Sequence, residues 1–236
     1  MAKRLLLLSN SRNPGQEFLA HAEDTVRDFF GSIGSAVFAP FAGVTLPFGP
    51  YTDLVRKHFG KLGIDITSLH ETNNPVGEVK KAEAILVGGG NTFHLLHHLY
   101  KLELLDAIRE RVTGGAPYMG WSAGSNVACP TIKTTNDMPI IEPPSLDALG
   151  LVSFQINPHY LDANPKDHGG ETREQRILEF IEVNPETYVA GLREGTLLRI
   201  EETSVELIGE RPMRVFKKGT DPREYEAGES LELLRS

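Results

Sequence analysis

The stretch Gly114-Gly115-Ala116-Pro117-Tyr118-Met119-Gly120-Trp121-Ser122-Ala123-Gly124-Ser125-Asn126-Val127-Ala128-Cys129-Pro130 reads as a strand, a tight bend and a helix. The apolar run Ala116–Met119 predicts the strand, and Ser125–Cys129 predicts the start of the helix. Between them, Gly120-Trp121-Ser122-Ala123-Gly124 fits G-x-S-x-G, the pattern of a nucleophile elbow. A serine at such a bend is exposed, while the following backbone N–H groups and the helix N-terminus converge on one point, where a developing anion is stabilised. Small flanking residues let the chain pass close to its neighbours. Plain turns share this composition, so the neighbouring elements must decide.

Upstream, Lys3–Asn10 carries four consecutive leucines and then polar turn residues, as expected of a strand buried on both faces. Gly15–Phe30 places Phe18, Leu19, Ala22, Val26, Phe29 and Phe30 at helical spacing. Gly34–Pro40 predicts a strand, Tyr51–Leu62 a helix, Ile64–Leu69 a strand, Val76–Lys81 a short helix and Ala82–Val87 a buried strand. That last strand runs into Gly88-Gly89-Gly90-Asn91-Thr92, and helices follow from Thr92 to at least Tyr100 and over Leu104–Val112. Strands alternating with helices in this way predict an α/β fold: a mostly parallel open sheet with helices on both faces. Ligands bind such sheets at the carboxyl ends of the strands, where both Gly88–Asn91 and Gly120–Gly124 fall.

Downstream the pattern changes. Thr131–Leu149 is rich in Pro, Asp and Asn without periodicity, the mark of a functional or mobile loop. Val152–Ile156 predicts a strand leading to Asn157-Pro158-His159. Thr172–Val183 predicts a helix with Thr172 as N-cap, and Thr187–Leu192 a strand. Short strands at Leu197–Ile200, Val205–Ile208 and Met213–Phe216 read as C-terminal β-hairpins. No linker composition divides the chain, so one domain over 1–236 is expected.

Composition narrows the function. With 236 residues, 40% hydrophobic and 24% charged, the chain has the make-up of an ordinary globular protein. Its 24 Lys and Arg against 32 Asp and Glu give a net charge of −8, which argues against nucleic acid as the main partner. The run Leu5–Leu8 is too short for a signal core or a membrane span, so a cytoplasmic protein with no membrane partner is expected. The single cysteine, Cys129, excludes an internal disulfide and a cysteine metal cluster. It lies seven residues after Ser122, about 10 Å along a helix, and reads as a buried structural thiol.

Seryl hydrolysis needs a nucleophile, an imidazole base, an acid to orient the imidazole, and donors for the oxyanion. Ser122 is the candidate nucleophile. Among the eight histidines, His159 follows a buried strand at its carboxyl end and is the candidate base. His94, His97 and His98 share a helix at i, i+3 and i+4, a spacing compatible with a metal pair, but no nearby carboxylate pattern resembles a zinc helix and they read as a solvated face. His168 reads as an exposed loop residue. Two acids compete to orient His159: Glu194, at the end of the Thr187–Leu192 strand, and Asp137 in the long loop. Gly88-Gly89-Gly90 has the form of an oxyanion or phosphate loop; it lacks the G-K-[ST] of a P-loop and the G-x-G-x-x-G of a dinucleotide fold.

Several blocks together resemble the peptidase E family, the α-aspartyl dipeptidases of the serine peptidase group that also includes cyanophycinase. They are Leu5–Asn10, Pro40–Thr45, Gly88-Gly89-Gly90-Asn91-Thr92-Phe93, Gly120–Gly124, Thr134–Ile140, Gln155-Ile156-Asn157-Pro158-His159 and Glu171-Thr172-Arg173-Glu174-Gln175-Arg176. The resemblance covers nearly the whole chain and is weakest after about Gly195. It implies a fold like that of class I glutamine amidotransferases, with serine in place of the elbow cysteine. It also implies hydrolysis of dipeptides with an N-terminal aspartate. A small acidic dipeptide is thus the expected partner, no metal or cofactor is expected, and the chain is expected to be a monomer or homodimer.

Carried over by position, Ser122 matches the nucleophile, His159 the base and Glu194 the third member, with Asp137 as the alternative acid. The N–H groups of Gly89 and Ala123 would form the oxyanion hole. Arg173 matches the family motif for binding the aspartate side chain, for which a guanidinium fork is well suited, and Arg176 lies one turn further on. Where the family reads Leu-Pro-Glu-Gly, this chain has Leu192-Arg193-Glu194-Gly195, setting a cation beside the proposed acid. Two other functions fit the same residues: an amidohydrolase acting on a longer aspartyl polymer or another acidic amide, and a non-catalytic binding or sensor module on the same fold.

Overall fold

The structure, a computed structural model, describes residues 3–163, 169–202 and 204–235. Its larger sheet is built on β1 (Arg4–Leu8), β2 (Ser35–Ala39), β3 (Asp65–Ser68), β4 (Ile85–Val87) and β5 (Tyr118–Trp121), all parallel. The hairpin β8 (Leu197–Glu201) and β9 (Ser204–Ile208) extends it antiparallel, giving the order β3-β2-β4-β5-β1-β8-β9. The four leucines of β1 show why it is central. Leu5 and Leu7 pack into the core on one face, and Leu6 and Leu8 into the core on the other. A strand covered on both faces needs no polar alternation.

The helices α2 (Phe48–Gly60), α3 (Pro75–Lys81), α4 (Thr92–Lys101) and α5 (Leu104–Thr113) fall where periodicity predicts them. The Gly15–Phe30 expectation is corrected: α1 spans Glu23–Phe30, preceded by a single 3-10 turn at Ala20–Ala22. Leu19 has φ 57° and donates its N–H to Ser11 O at 2.7 Å, while Phe18 packs edge-on to Trp121. Burial of those two side chains is thus achieved from a loop. Among the described residues no helix is long and apolar enough to cross a membrane.

A second sheet, not anticipated from the sequence, has the order β11-β10-β7-β6, from β6 (Gln155–Pro158), β7 (Val189–Leu192), β10 (Met213–Phe216) and β11 (Arg223–Tyr225). The crossover from β6 to its parallel neighbour β7 carries α7 (Arg173–Val183). Of the expected C-terminal hairpins, β8–β9 forms; β10 instead pairs with β7 and β11. Ile156, Ala190 and Met213 of this sheet share one hydrophobic cluster with Leu5 and Leu7 of β1. Ser9 joins the carboxyl ends of both sheets, donating its hydroxyl to Leu192 O at 2.8 Å and accepting the N–H of His159 at 2.9 Å.

Candidate active site

The elbow is tighter than its sequence suggests. β5 continues through Trp121 and α6 (Ala123–Asn126) begins at Ala123, so the bend is Ser122 alone, with φ 52° and ψ −111°. Such a conformation costs a non-glycine residue roughly 1–3 kcal/mol and persists where its surroundings over-determine it. Here Ser122 N–H donates to Leu8 O at 3.0 Å, and the buried Ser125 hydroxyl bonds Leu8 O and Gly120 O at 2.7 and 2.9 Å. At Gly124 a Cβ would lie 2.1 Å from Val87 O, so only glycine lets α6 sit this close to β4.

His159 follows β6 with φ 54°, and its ring closes a hydrogen-bonded line. Nε2 lies 2.9 Å from Ser122 Oγ, and Nδ1 lies 2.7 Å from Glu194 Oε1. With Nδ1–H donating to the carboxylate, Nε2 keeps the lone pair that accepts the serine hydroxyl. An imidazole so placed can take the hydroxyl proton while the carboxylate supports the resulting charge.

Arg193, the cation that the sequence sets beside Glu194, turns the other way. Its buried guanidinium bonds Asp162, Glu224 and Pro212 O and lies over the Tyr160 ring at 5.4 Å. Glu224 first, then Asp162, raise the arginine pKa, and both carboxyls are in turn held below their usual range by Arg193.

Asp137 is bound elsewhere, which corrects its reading as an alternative acid for His159. One carboxylate oxygen accepts Thr92 N–H at 2.7 Å and Thr92 Oγ1 at 2.6 Å, capping the start of α4. Its loop is tied to β6, since Asn136 Nδ2 donates to Pro158 O at 2.6 Å and Asn157 Nδ2 to Thr134 O at 2.9 Å. Apart from one isolated bridge, Thr131 to Asp147, the segment 131–149 is irregular, as expected.

The glycine loop lies against the serine. A Cβ at Gly89 would meet Trp121 O at 2.9 Å and Ser122 Cβ at 3.0 Å, and the Gly89 carbonyl is held by Tyr51 Oη at 3.1 Å. Among the described residues, the N–H groups of Gly89 and Ala123 bond no protein acceptor. Both border the serine and are free to receive an anion.

Arg173, at the first position of α7, is half-buried and lines a pocket of about 200 Å³ with Ser122, His159, Asp137 and Thr92. The predicted cap is present: Thr172 Oγ1 accepts Gln175 N–H, and the Gln175 side chain returns the bond. Burial, then the charge of Arg176, lowers the Arg173 pKa, while Asp137 opposes that shift. Arg176 itself is exposed, 3.8 Å from Glu171, and borders neither of the two cavities described at the serine, whereas Arg173 borders the smaller one.

Among the other candidates, His94 and His98 bond the carbonyls of Phe41 and His94. No group of three or more His, Cys, Asp or Glu is arranged among the described residues to hold a metal ion. His168 lies outside the described residues. Cys129 is fully buried, accepts Ile156 N–H at 3.2 Å, and has its pKa pushed up to about 12 by burial. Sequence reasoning missed Arg12, which lines a larger cavity of about 810 Å³ together with Ser122 and His159. Its signal was its position, four residues after the carboxyl end of β1.

A serine at a strand-to-helix elbow, on a mostly parallel sheet extended by antiparallel strands, defines a class I glutamine amidotransferase-like α/β protein with serine at the elbow. The profile of peptidase family S51 matches residues 5–208, and the chain belongs to that family. A relative named peptidase E from Nostoc sp. is 52% identical, covering 99% of this chain and 97% of its own. Another of that name, from Streptomyces coelicolor, is 49% identical over 98% and 94% of the two chains. The crystal structure of a candidate peptidase E protein from Listeria monocytogenes shares the fold with a TM-score of 0.69 at 23% identity, over 89% of this chain and 100% of that one.

Proposed function

We propose that the chain is a serine-type dipeptidase that hydrolyses dipeptides with an N-terminal aspartate through an acyl-enzyme on Ser122. The observation that carries this reading is the line Ser122 Oγ, His159 Nε2, His159 Nδ1, Glu194 Oε1, with bonds of 2.9 and 2.7 Å. Membership of family S51 supports peptidase chemistry.

In this mechanism His159 takes the Ser122 proton as Oγ attacks the carbonyl carbon of the aspartyl residue. The carbonyl oxygen becomes an oxyanion facing the N–H groups of Gly89 and Ala123. His159 then gives the proton to the departing amine, the C–N bond breaks, and an aspartyl ester remains on Ser122. Water, deprotonated by His159, hydrolyses the ester and restores the hydroxyl. One lost oxyanion donor typically costs about 10²- to 10³-fold in rate.

Arg173 supports the aspartate preference, because a half-buried guanidinium in a small pocket next to the serine suits a substrate carboxylate. Asp137 lines the same pocket and gives the α-ammonium an acidic partner. The experiment is a panel of Asp-Leu, Glu-Leu and N-acetyl-Asp-Leu on wild type and Arg173→Ala. Cleavage of Asp-Leu alone by wild type, lost in the variant, is expected. Equal rates on the acetylated substrate would favour an amidohydrolase of longer aspartyl chains.

A further inference from the structure

Two cavities meet at the serine. The Arg173 pocket and the larger one share Ser122, Asp137 and His159, and the larger holds about 810 Å³ against about 200 Å³. A peptide bond whose carbonyl carbon sits at Ser122 Oγ has one portion on each side. The small charged pocket suits an aspartyl group, so the departing residue runs into the larger cavity.

That cavity has a different character. Phe18, Leu54, Val44, Leu46 and Ile140 contribute apolar wall. Val44, Leu46 and Ile140 are 50%, 42% and 53% exposed, so an apolar side chain entering here covers surface that water otherwise wets.

Arg12 stands on the same wall and is a permanent cation, whereas His159 is charged only when protonated. Its backbone is fixed relative to the reacting groups. Asn10 Nδ2 donates to Arg12 O and to Asn13 Oδ1, both at 2.8 Å, and Asn10 Oδ1 accepts the N–H of Gly195, the neighbour of Glu194, at 2.8 Å. Ser11 O accepts Leu19 N–H at 2.7 Å, holding the other side of the loop. The guanidinium itself is exposed and, among the described residues, makes no hydrogen bond or ion pair, in contrast with the doubly bridged Arg193. A guanidinium held over an active-site cavity with its donors unspent is suited to a carboxylate of the substrate. The carboxylate available on this side is the free C-terminus of the departing residue.

We propose that Arg12 binds the C-terminal carboxylate of the departing residue while the apolar wall takes its side chain, so that Asp-X dipeptides with apolar X and a free C-terminus are the preferred substrates. This role rests on the dipeptidase reading above. The carboxylate keeps its charge as the C–N bond breaks, so Arg12 binds ground state and transition state alike, and its loss raises KM with little change in kcat.

The test compares Asp-Leu, Asp-Leu amide and Asp-Ser on wild type, Arg12→Gln and Arg12→Lys. For wild type, kcat/KM on Asp-Leu is expected to exceed that on the amide by about tenfold at low salt, carried by KM, with the gap narrowing as salt screens the exposed charge. Asp-Ser should fall below Asp-Leu. Arg12→Gln should lose about tenfold on Asp-Leu and much less on the amide, and Arg12→Lys should recover part of that loss. Equal wild-type rates on Asp-Leu and its amide, or equal losses on both in Arg12→Gln, would overturn the role of Arg12 while leaving the dipeptidase reading intact. Failure of wild type to cleave any of the three would overturn the dipeptidase reading, and this role with it.

Discussion

Ser9 holds His159 from behind: the fully buried hydroxyl accepts the His159 backbone N–H at 2.9 Å and donates to Leu192 O at 2.8 Å. The carboxyl ends of β1, β6 and β7 are thereby pinned at one side chain, whose acceptor Leu192 lies two residues before Glu194. His159, at φ 54°, needs such restraint to keep its ring between Ser122 and Glu194. Ser9→Ala leaves a buried N–H unpaired, which costs about 1–3 kcal/mol. The expected outcome is a lower Tm with kcat reduced more than KM is raised, read by thermal unfolding and steady-state kinetics.

Glu194 and Asp137 are separable by mutation. Glu194→Gln preserves shape but removes the charge facing Nδ1, so kcat should fall by about 10³- to 10⁴-fold in a folded protein. Asp137→Asn weakens the cap at Thr92 and the proposed ammonium site. It should cost about 1 kcal/mol of stability and act mainly on KM. A kcat loss in Asp137→Asn as large as that in Glu194→Gln would reverse the assignment.

Much of this was legible in the sequence because it is local. Four consecutive leucines specify a strand covered on both faces, Thr172 announces the start of α7, and Gly120–Gly124 marks the bend. What escaped notice depends on distant partners. Arg12 is an exposed loop arginine whose one local signal is its place shortly after β1, until folding sets it on the cavity that Ser122 also lines. Asp137 sits in an irregular loop, and its partner Thr92 is 45 residues away. β11, Arg223-Glu224-Tyr225, is too short and polar to show alternation, and β10 was separated from its partner β7 by the intervening hairpin. Phe18 and Leu19 fit a helical period yet bury from a loop, since periodicity records burial and not the conformation that achieves it.

The Arg193 network should give a stability term of predictable sign. Asp162 and Glu224 have carboxyl pKa values lowered from 3.8 and 4.5, first by their hydrogen bonds to Arg193. A depressed folded-state pKa contributes stability that is present above the unfolded value and lost as pH falls through the folded one. Arg193→Met should therefore be less stable than wild type at pH 7, and the gap should shrink below about pH 4. Because both carboxylates are partly exposed, salt should also narrow it. Chemical denaturation of both proteins at the two pH values reads this directly.

Burial and a pKa of about 12 keep Cys129 a thiol at neutral pH. Iodoacetamide should leave the native protein unmodified and active, and should label the unfolded chain once, as mass spectrometry would record.

Ser122 as the nucleophile is tested most directly by kcat/KM for Asp-Leu hydrolysis by Ser122→Ala in the presence of a chelator. The expected result is a loss on the order of 10⁴-fold or more in a variant whose thermal unfolding matches wild type. Hydrolysis of Asp-Leu by Ser122→Ala at the wild-type rate would contradict the account.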